Sequence, residues 1–253
     1  MPPYFRRREG GLVIRHPASS TTGLLLSGGL DSAILLGYLL EQGPRVQPFY
    51  VRCDFVWHRE EMDAARRLLR ALAPFQRRTG QLAELVVLEM PTADLYQGHW
   101  SVTGRETPDD QSPDEAVYLP GHNALLLIKA ALWCRLREIP CLALASLASN
   151  PFADASPGFF DPFQAAICHA TGGQVQIVRP FETHSKRQVM ELGRRYPLEL
   201  TFSCLAPVNG RHCGRCNKCA ERRQAFRILP REDPTDYACS VDRRDRQEGQ
   251  LAN

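Results

Sequence analysis

The chain has 253 residues, 43% of them hydrophobic and 23% charged, with a formal net charge of +3. That length suffices for one large core, or a core with an appendage, and the balance excludes a disordered or fibrous protein. No apolar run approaches the ~20 residues that span a bilayer, so no membrane contact is expected. The mild positive charge, nearly all arginine, argues against a stable nucleic-acid complex.

Residues 1–22 read as an irregular lead-in with a short edge strand at 11–15. The opening is basic but lacks an apolar core, so it does not read as a secretory signal. The cytoplasm is the expected location.

Residues 23–27 predict a first strand, and 31–42 predict a helix closed by Gly43 and Pro44. Between them runs Ser27-Gly28-Gly29-Leu30-Asp31-Ser32. Glycines let the backbone turn and let a bulky anion come close. The helix that follows aims unpaired N–H groups and a positive dipole end at that anion. Ser27 and Ser32 add hydroxyl donors, and Asp31 can hold a cation beside phosphates. The expected anion is the pyrophosphate end of a nucleotide, bound by Leu26, Ser27, Gly28, Gly29, Leu30, Asp31 and Ser32. Neither G-x-x-x-x-G-K-[ST] nor G-x-G-x-x-G is present here.

Further strands are expected at 46–52, 85–88, 141–145 and 175–178, and helices at 58–72, 124–136, 163–170 and 185–196. Strand and helix alternate, which predicts an α/β fold with a doubly wound, mostly parallel five-stranded sheet. The polar stretch 91–118 is long for a connection and reads as a lid, a binding segment or a disordered insertion. In such a sheet ligands bind off the carboxyl ends of the strands. The 27–32, 53–57, 91–122, 146–161 and 179–186 loops all lie on that edge.

There are nine cysteines and no export signal, so disulfides are not expected. Cys53, Cys134, Cys141 and Cys168 sit among apolar residues and read as small buried hydrophobes. Cys239 receives no role. Cys204-x8-Cys213-x2-Cys216-x2-Cys219 is different: four thiolates at that spacing suit one tetrahedral soft-metal site, Zn²⁺ or an Fe–S cluster. With the shell closed by protein, the metal is expected to be structural. The expected organisation is an ATP-binding α/β domain over 1–200, a zinc knuckle plus helix over 201–229 and a poorly ordered charged tail over 230–253.

Ser27 to Ser32 resembles the PP-loop of the ATP pyrophosphatase superfamily. Together with the cysteine spacing, His58-x2-Glu61, Leu119-Pro120-Gly121-His122-Asn123 and Ser185-Lys186, it resembles the 7-cyano-7-deazaguanine synthases over about residues 23–226. The resemblance implies an adenine nucleotide alpha hydrolase-like fold, Mg²⁺ with ATP, one structural Zn²⁺ per chain and, in many members, a homodimer. It implies a ligase of queuosine-type 7-deazapurine biosynthesis. Such enzymes adenylate 7-carboxy-7-deazaguanine, admit ammonia to give an amide, and dehydrate that amide to a nitrile. On this basis Asp31, Ser32 and Lys186 are the expected catalytic residues, with Gly121 and Asn123 added to the nucleotide site. His122, Phe159, Phe160 and Asp161 are the expected contacts to the acid. Two departures stand out. The family's Gly-Tyr-Pro-Asp-Cys-Arg run is replaced by residues 149–161 without arginine, and the family's Pro-Gly-Arg-Asn arginine is His122. Arginine offers a bidentate fork that histidine does not. Adenylation of another carboxylate that stops at the amide, and a zinc-stabilised nucleotide-binding module without catalysis, are the alternative readings.

Overall fold

The computed structural model describes residues 5–8, 11–14 and 21–239, with side chains from 21 onward. Strands β1 (Phe5–Arg8) and β2 (Gly11–Ile14) pair antiparallel as a separate two-stranded sheet. The expected edge strand therefore exists, but it does not border the main sheet.

The main sheet is built from β3 (Thr21–Leu25), β4 (Arg45–Arg52), β5 (Val86–Glu89), β6 (Cys141–Ala143) and β7 (Gln176–Val178). Its order is β5-β4-β3-β6-β7 and all four pairings are parallel. The chain winds outward one way from β3, then returns to its other side. The crevice between β3 and β6 is thus the topological switch point, where such sheets hold ligands.

Helices cover both faces. On one lie α1 (Leu30–Gln42), α2 (His58–Leu72), α7 (Lys186–Leu192) and α8 (Asn217–Arg227). On the other lie α5 (His122–Leu136) and α6 (Pro157–Thr171). Ile34, Leu35, Leu36, Leu39 and Leu40 are fully buried, so α1 is enclosed nearly all round. The amphipathic α2 buries Ala64, Ala65, Leu68 and Leu72 and leaves Arg66, Arg67 and Arg70 exposed.

Helix α6 starts six residues before the expected position. Pro162 reads as a breaker, yet Pro157 occupies the first turn, where its missing N–H costs nothing and its fixed φ suits the helix. Helix α7 ends at Leu192, four residues early, with Gly193 as its C-cap.

The 91–118 stretch is folded rather than a disordered insertion. It carries α3 (Ala93–Tyr96), α4 (Trp100–Thr103) and a 3₁₀ turn at Asp114–Val117. It is also stapled to the cysteine segment. Asn217 N–H donates to Pro108 O at 3.0 Å, Asp110 N–H to Arg215 O at 3.1 Å, and Asn217 Nδ2 to Ser112 O at 3.0 Å.

Residues 230–239, which the sequence places in a poorly ordered tail, make defined contacts. Ala238 N–H donates to His212 O at 2.7 Å and Cys239 N–H to Cys213 O at 3.2 Å. Arg222, buried to 1% exposure, donates to Thr235 Oγ1 at 2.7 Å and to Thr201 Oγ1 at 2.6 Å. A guanidinium in that position holds residues 233–239 against α8, since removing either acceptor would strand a buried donor. Residues 240–253 of the expected tail lie outside the described region.

Candidate active site

The turn after β3 is shaped by its glycines. Gly28 has φ +84°, and a Cβ there would lie 2.5 Å from the carbonyl oxygen of Glu61 in α2. Only glycine lets the turn lie this close to the neighbouring helix. Leu26 N–H donates to Phe49 O at 2.8 Å, and Phe202 N–H donates to Gly28 O at 2.8 Å. The turn is thereby fixed from β4 on one side and from the cysteine segment on the other.

Helix α1 begins after Gly29 with no side chain capping it. Ser27 and Ser32 instead pair with each other, Oγ to Oγ at 3.1 Å. The uncapped first turn of α1 borders a cavity of about 390 Å³. That size is within the usual range for small-ligand sites. Leu26, Ser27, Gly29, Leu30, Asp31 and Ser32 line it. Gly28 shapes the turn from behind.

Asp31 and Lys186 meet in the cavity wall. Lys186 Nζ lies 2.8 and 2.9 Å from the two carboxylate oxygens of Asp31 and 3.5 Å from Glu221 Oε1. Burial works to lower the lysine pKa, but Asp31 and Glu221 outweigh it and hold the ammonium more firmly charged than usual. Ser185 forms a capping box with Gln188 at the start of α7, which aims Lys186 inward.

A second lobe is apolar and aromatic. Phe55, Trp57, Trp100, Leu119, His122 and Phe152 line it. Phe55 and Trp57 rings lie 5.0 Å apart, and Trp57 stacks on Trp100 at 5.7 Å. Such walls suit a flat ring system. His122 Nδ1 is buried there without a hydrogen-bond partner, and burial lowers its pKa to about 4. It is a neutral imidazole at physiological pH, and a ligand can satisfy it. Glu61 also reaches this cavity. Its pKa is raised to about 8 by burial, against the hydrogen bond that Tyr50 donates to it at 3.2 Å.

The expected acid contacts Phe159, Phe160 and Asp161 do not line the cavity. Phe160 is buried in the core behind it, with Arg179 over its ring at 4.4 Å. Phe159 packs on Phe160 and Phe163, and Asp161 is exposed. They lie on α6, whose early start turns them toward the α5 face of the sheet. From the same stretch, Asn150 and Phe152 line the cavity instead.

Asn123 lines the cavity but is held by Asp154, a residue the sequence did not single out. Asn123 N–H donates to Asp154 Oδ2 at 2.9 Å, and its Nδ2 to Asp154 O at 3.1 Å. Asp154 thus caps the start of α5 and sets the position of His122. Gly121, at φ +75°, makes the turn into α5 without lining the cavity. Arg222 lines the cavity floor and was not visible from the motif pattern either.

Cys204, Cys213, Cys216 and Cys219 converge, all four buried, with their sulfurs within 4.8 Å of one another. The Cys204–Cys216 and Cys213–Cys219 sulfur pairs are each 3.9 Å apart, close to the edge of a tetrahedron with metal–sulfur bonds of about 2.3 Å. Backbone amides of Leu205, Ala206, Cys213 and Arg215 point at these sulfurs from 3.2 to 3.5 Å. Donors of that kind stabilise bound thiolates. The residues fit zinc. Cys53, Cys134 and Cys141 are buried in the apolar core as expected, and Cys168 is partly buried.

Among the described residues, no helix is long and apolar enough to cross a membrane. The family described as "Queuosine biosynthesis protein QueC" matches residues 22–229. A 7-cyano-7-deazaguanine synthase of Allorhizobium ampelinum is 32% identical over 224 residues, covering 85% of this chain and 91% of that one. Another, of Stenotrophomonas maltophilia, is 32% identical over 233 residues, covering 85% and 98%. A solved complex of a 4-thiouridine synthetase with RNA and bound ATP aligns with a TM-score of 0.44 and 15% identity, over 83% of this chain and 50% of that one. The match over residues 22–229 and the identity to full-length synthases make this chain a member of the QueC family of queuosine biosynthesis proteins.

Proposed function

We propose that this protein is an ATP-dependent ligase that adenylates 7-carboxy-7-deazaguanine and, with ammonia, converts it to 7-cyano-7-deazaguanine. The observation that carries the reading is the uncapped start of α1, which opens into the cavity beside Asp31 and Lys186. Family membership and the names of the relatives support it.

The phosphates lie on the α1 amides and the Ser27 and Ser32 hydroxyls, and Lys186 offsets their charge. Asp31 would hold Mg²⁺, which neutralises phosphate oxygens when bound, by exchanging its bond to Lys186. The flat acid lies between the aromatic walls, where His122 accepts a ring N–H. Its carboxylate oxygen attacks the α-phosphorus and pyrophosphate leaves. Ammonia attacks the acyl carbon and expels AMP. In a second round the amide oxygen is adenylated, then lost with AMP as the nitrogen gives up its protons. Phe55, Trp57 and Trp100 exclude water that would compete with ammonia. The zinc, held by the four cysteines, is structural. The reading includes a cytosolic location and a homodimer, the latter checked by sedimentation.

Pyrophosphate release with 7-carboxy-7-deazaguanine, ATP and ammonia, followed by mass analysis, tests the reading. Nitrile is the expected product. The second reading, adenylation of another carboxylate that stops at the amide, is favoured by the 149–161 loop. It contributes Asn150 and Phe152 to the cavity and no cation. Turnover with other acids but not this one, or accumulation of amide, decides for it.

A further inference from the structure

Beside the nucleotide cavity lies a second one, of about 400 Å³. The two share a wall, since Asp31, Lys186, Lys218 and Glu221 line both. These four side chains form one row of alternating charge. Lys186 bonds Asp31 at 2.8 Å and reaches Glu221 at 3.5 Å, and Lys218 Nζ lies 2.6 Å from the other Glu221 oxygen. None is sealed off: side-chain exposure runs from 23% at Lys186 to 40% at Glu221.

The row sums to zero charge, and Asp114 adds a further carboxylate to the lining of the second cavity. Both ammonium groups are nevertheless open to a more highly charged anion arriving from either cavity. Lys218 sits in the first turn of α8, whose dipole adds positive potential at the same spot. The ATP-splitting reading supplies the anion. Inorganic pyrophosphate forms at the α1 turn and has to leave, and the far side of the shared wall opens onto the second cavity.

Resting on that reading, we propose that the second cavity is the exit site of the leaving pyrophosphate, with Lys218 as its cation and Glu221 as the group that holds Lys218 in reserve. Pyrophosphate at the wall takes the Lys218 ammonium from Glu221 and the Lys186 ammonium from Asp31. Glu221 then faces the product as a like charge. That repulsion keeps product binding weak and favours release.

The test is equilibrium binding of inorganic pyrophosphate with Mg²⁺ to the zinc-loaded full chain, with AMP as the control ligand. Lys218→Met is expected to weaken pyrophosphate binding about tenfold, the loss of one charge-assisted hydrogen bond, and Glu221→Gln to tighten it. AMP affinity is expected to stay put in both. Zinc content shows whether the knuckle survives each change, and if Lys218→Met loses zinc, Glu221→Gln decides alone. Unchanged pyrophosphate affinity in a zinc-loaded Lys218→Met, or no tightening in Glu221→Gln, overturns the exit site while leaving adenylation standing. A wild-type chain that binds neither ATP nor pyrophosphate overturns both.

Discussion

The amide of Phe202 donates to the carbonyl of Gly28 at 2.8 Å. Phe202 lies two residues before the first cysteine of the cluster, and Gly28 is the positive-φ residue of the turn after β3. The metal site and the turn are therefore mechanically one unit. Ser203, Cys204 and Leu205 line the same cavity. Metal analysis is expected to find one zinc per chain. Chelation should lower the melting temperature and abolish pyrophosphate release together, since a closed zinc site contributes folding energy directly. Iron in place of zinc, or full turnover in the stripped protein, would contradict this.

Asp31→Ala separates chemistry from folding. The Asp31–Lys186 pair is partly solvent-exposed, so its loss should change stability by no more than about 1 kcal/mol. Pyrophosphate release should fall by at least about a hundredfold, the scale seen when one preorganised electrostatic group is removed. Retained activity would remove Asp31 from the reaction.

Local signals were legible in the sequence, and distant partnerships were not. The Ser27–Ser32 turn, the strand–helix alternation and the cysteine spacing each rest on residues close in sequence, and each has its place in the structure. Phe159 and Phe160 lie away from the cavity, and the sequence did not show this because an aromatic pair reads the same whether it faces a ligand or a core. Their side was decided by Pro157 starting α6 early. Asp154 and Arg222 were missed because their roles depend on Asn123, Thr201 and Thr235, which only folding brings near. The 91–118 stretch reads as loose because its staples are backbone groups of the cysteine segment, which leave no mark in composition.

Phe152 and Phe160 make a paired test of where the acid binds. Phe160 is 2% exposed and packed in the core, so Phe160→Ala should cost about 3–5 kcal/mol of stability. Once folded at low temperature, that variant should keep its KM for the acid. Phe152 stacks on Tyr118 at 5.0 Å and faces the cavity. Phe152→Ala should raise the KM for the acid, with a smaller loss of melting temperature. The reverse pattern would return the acid pocket to α6.

Glu61 makes stability depend on pH. Burial raises its pKa from the ordinary 4.5 to about 8, against hydrogen bonds from Tyr50 and Trp57 that favour the charged form. Between those values the folded protein keeps a proton that the unfolded chain has lost. The contribution of Glu61 to stability must then fall as pH rises through this window and level off above about 8, while His122, held neutral by burial, contributes in the opposite sense below about 6.5. Glu61→Gln carries no titrating proton, so its melting temperature should gain on that of the wild type as pH rises through the window and exceed it most at the alkaline end. Melting curves of both proteins from pH 5 to pH 9 provide the check. Parallel curves would mean that Glu61 ionises in the folded state as it does in water, with its carboxylate hydrated from the cavity.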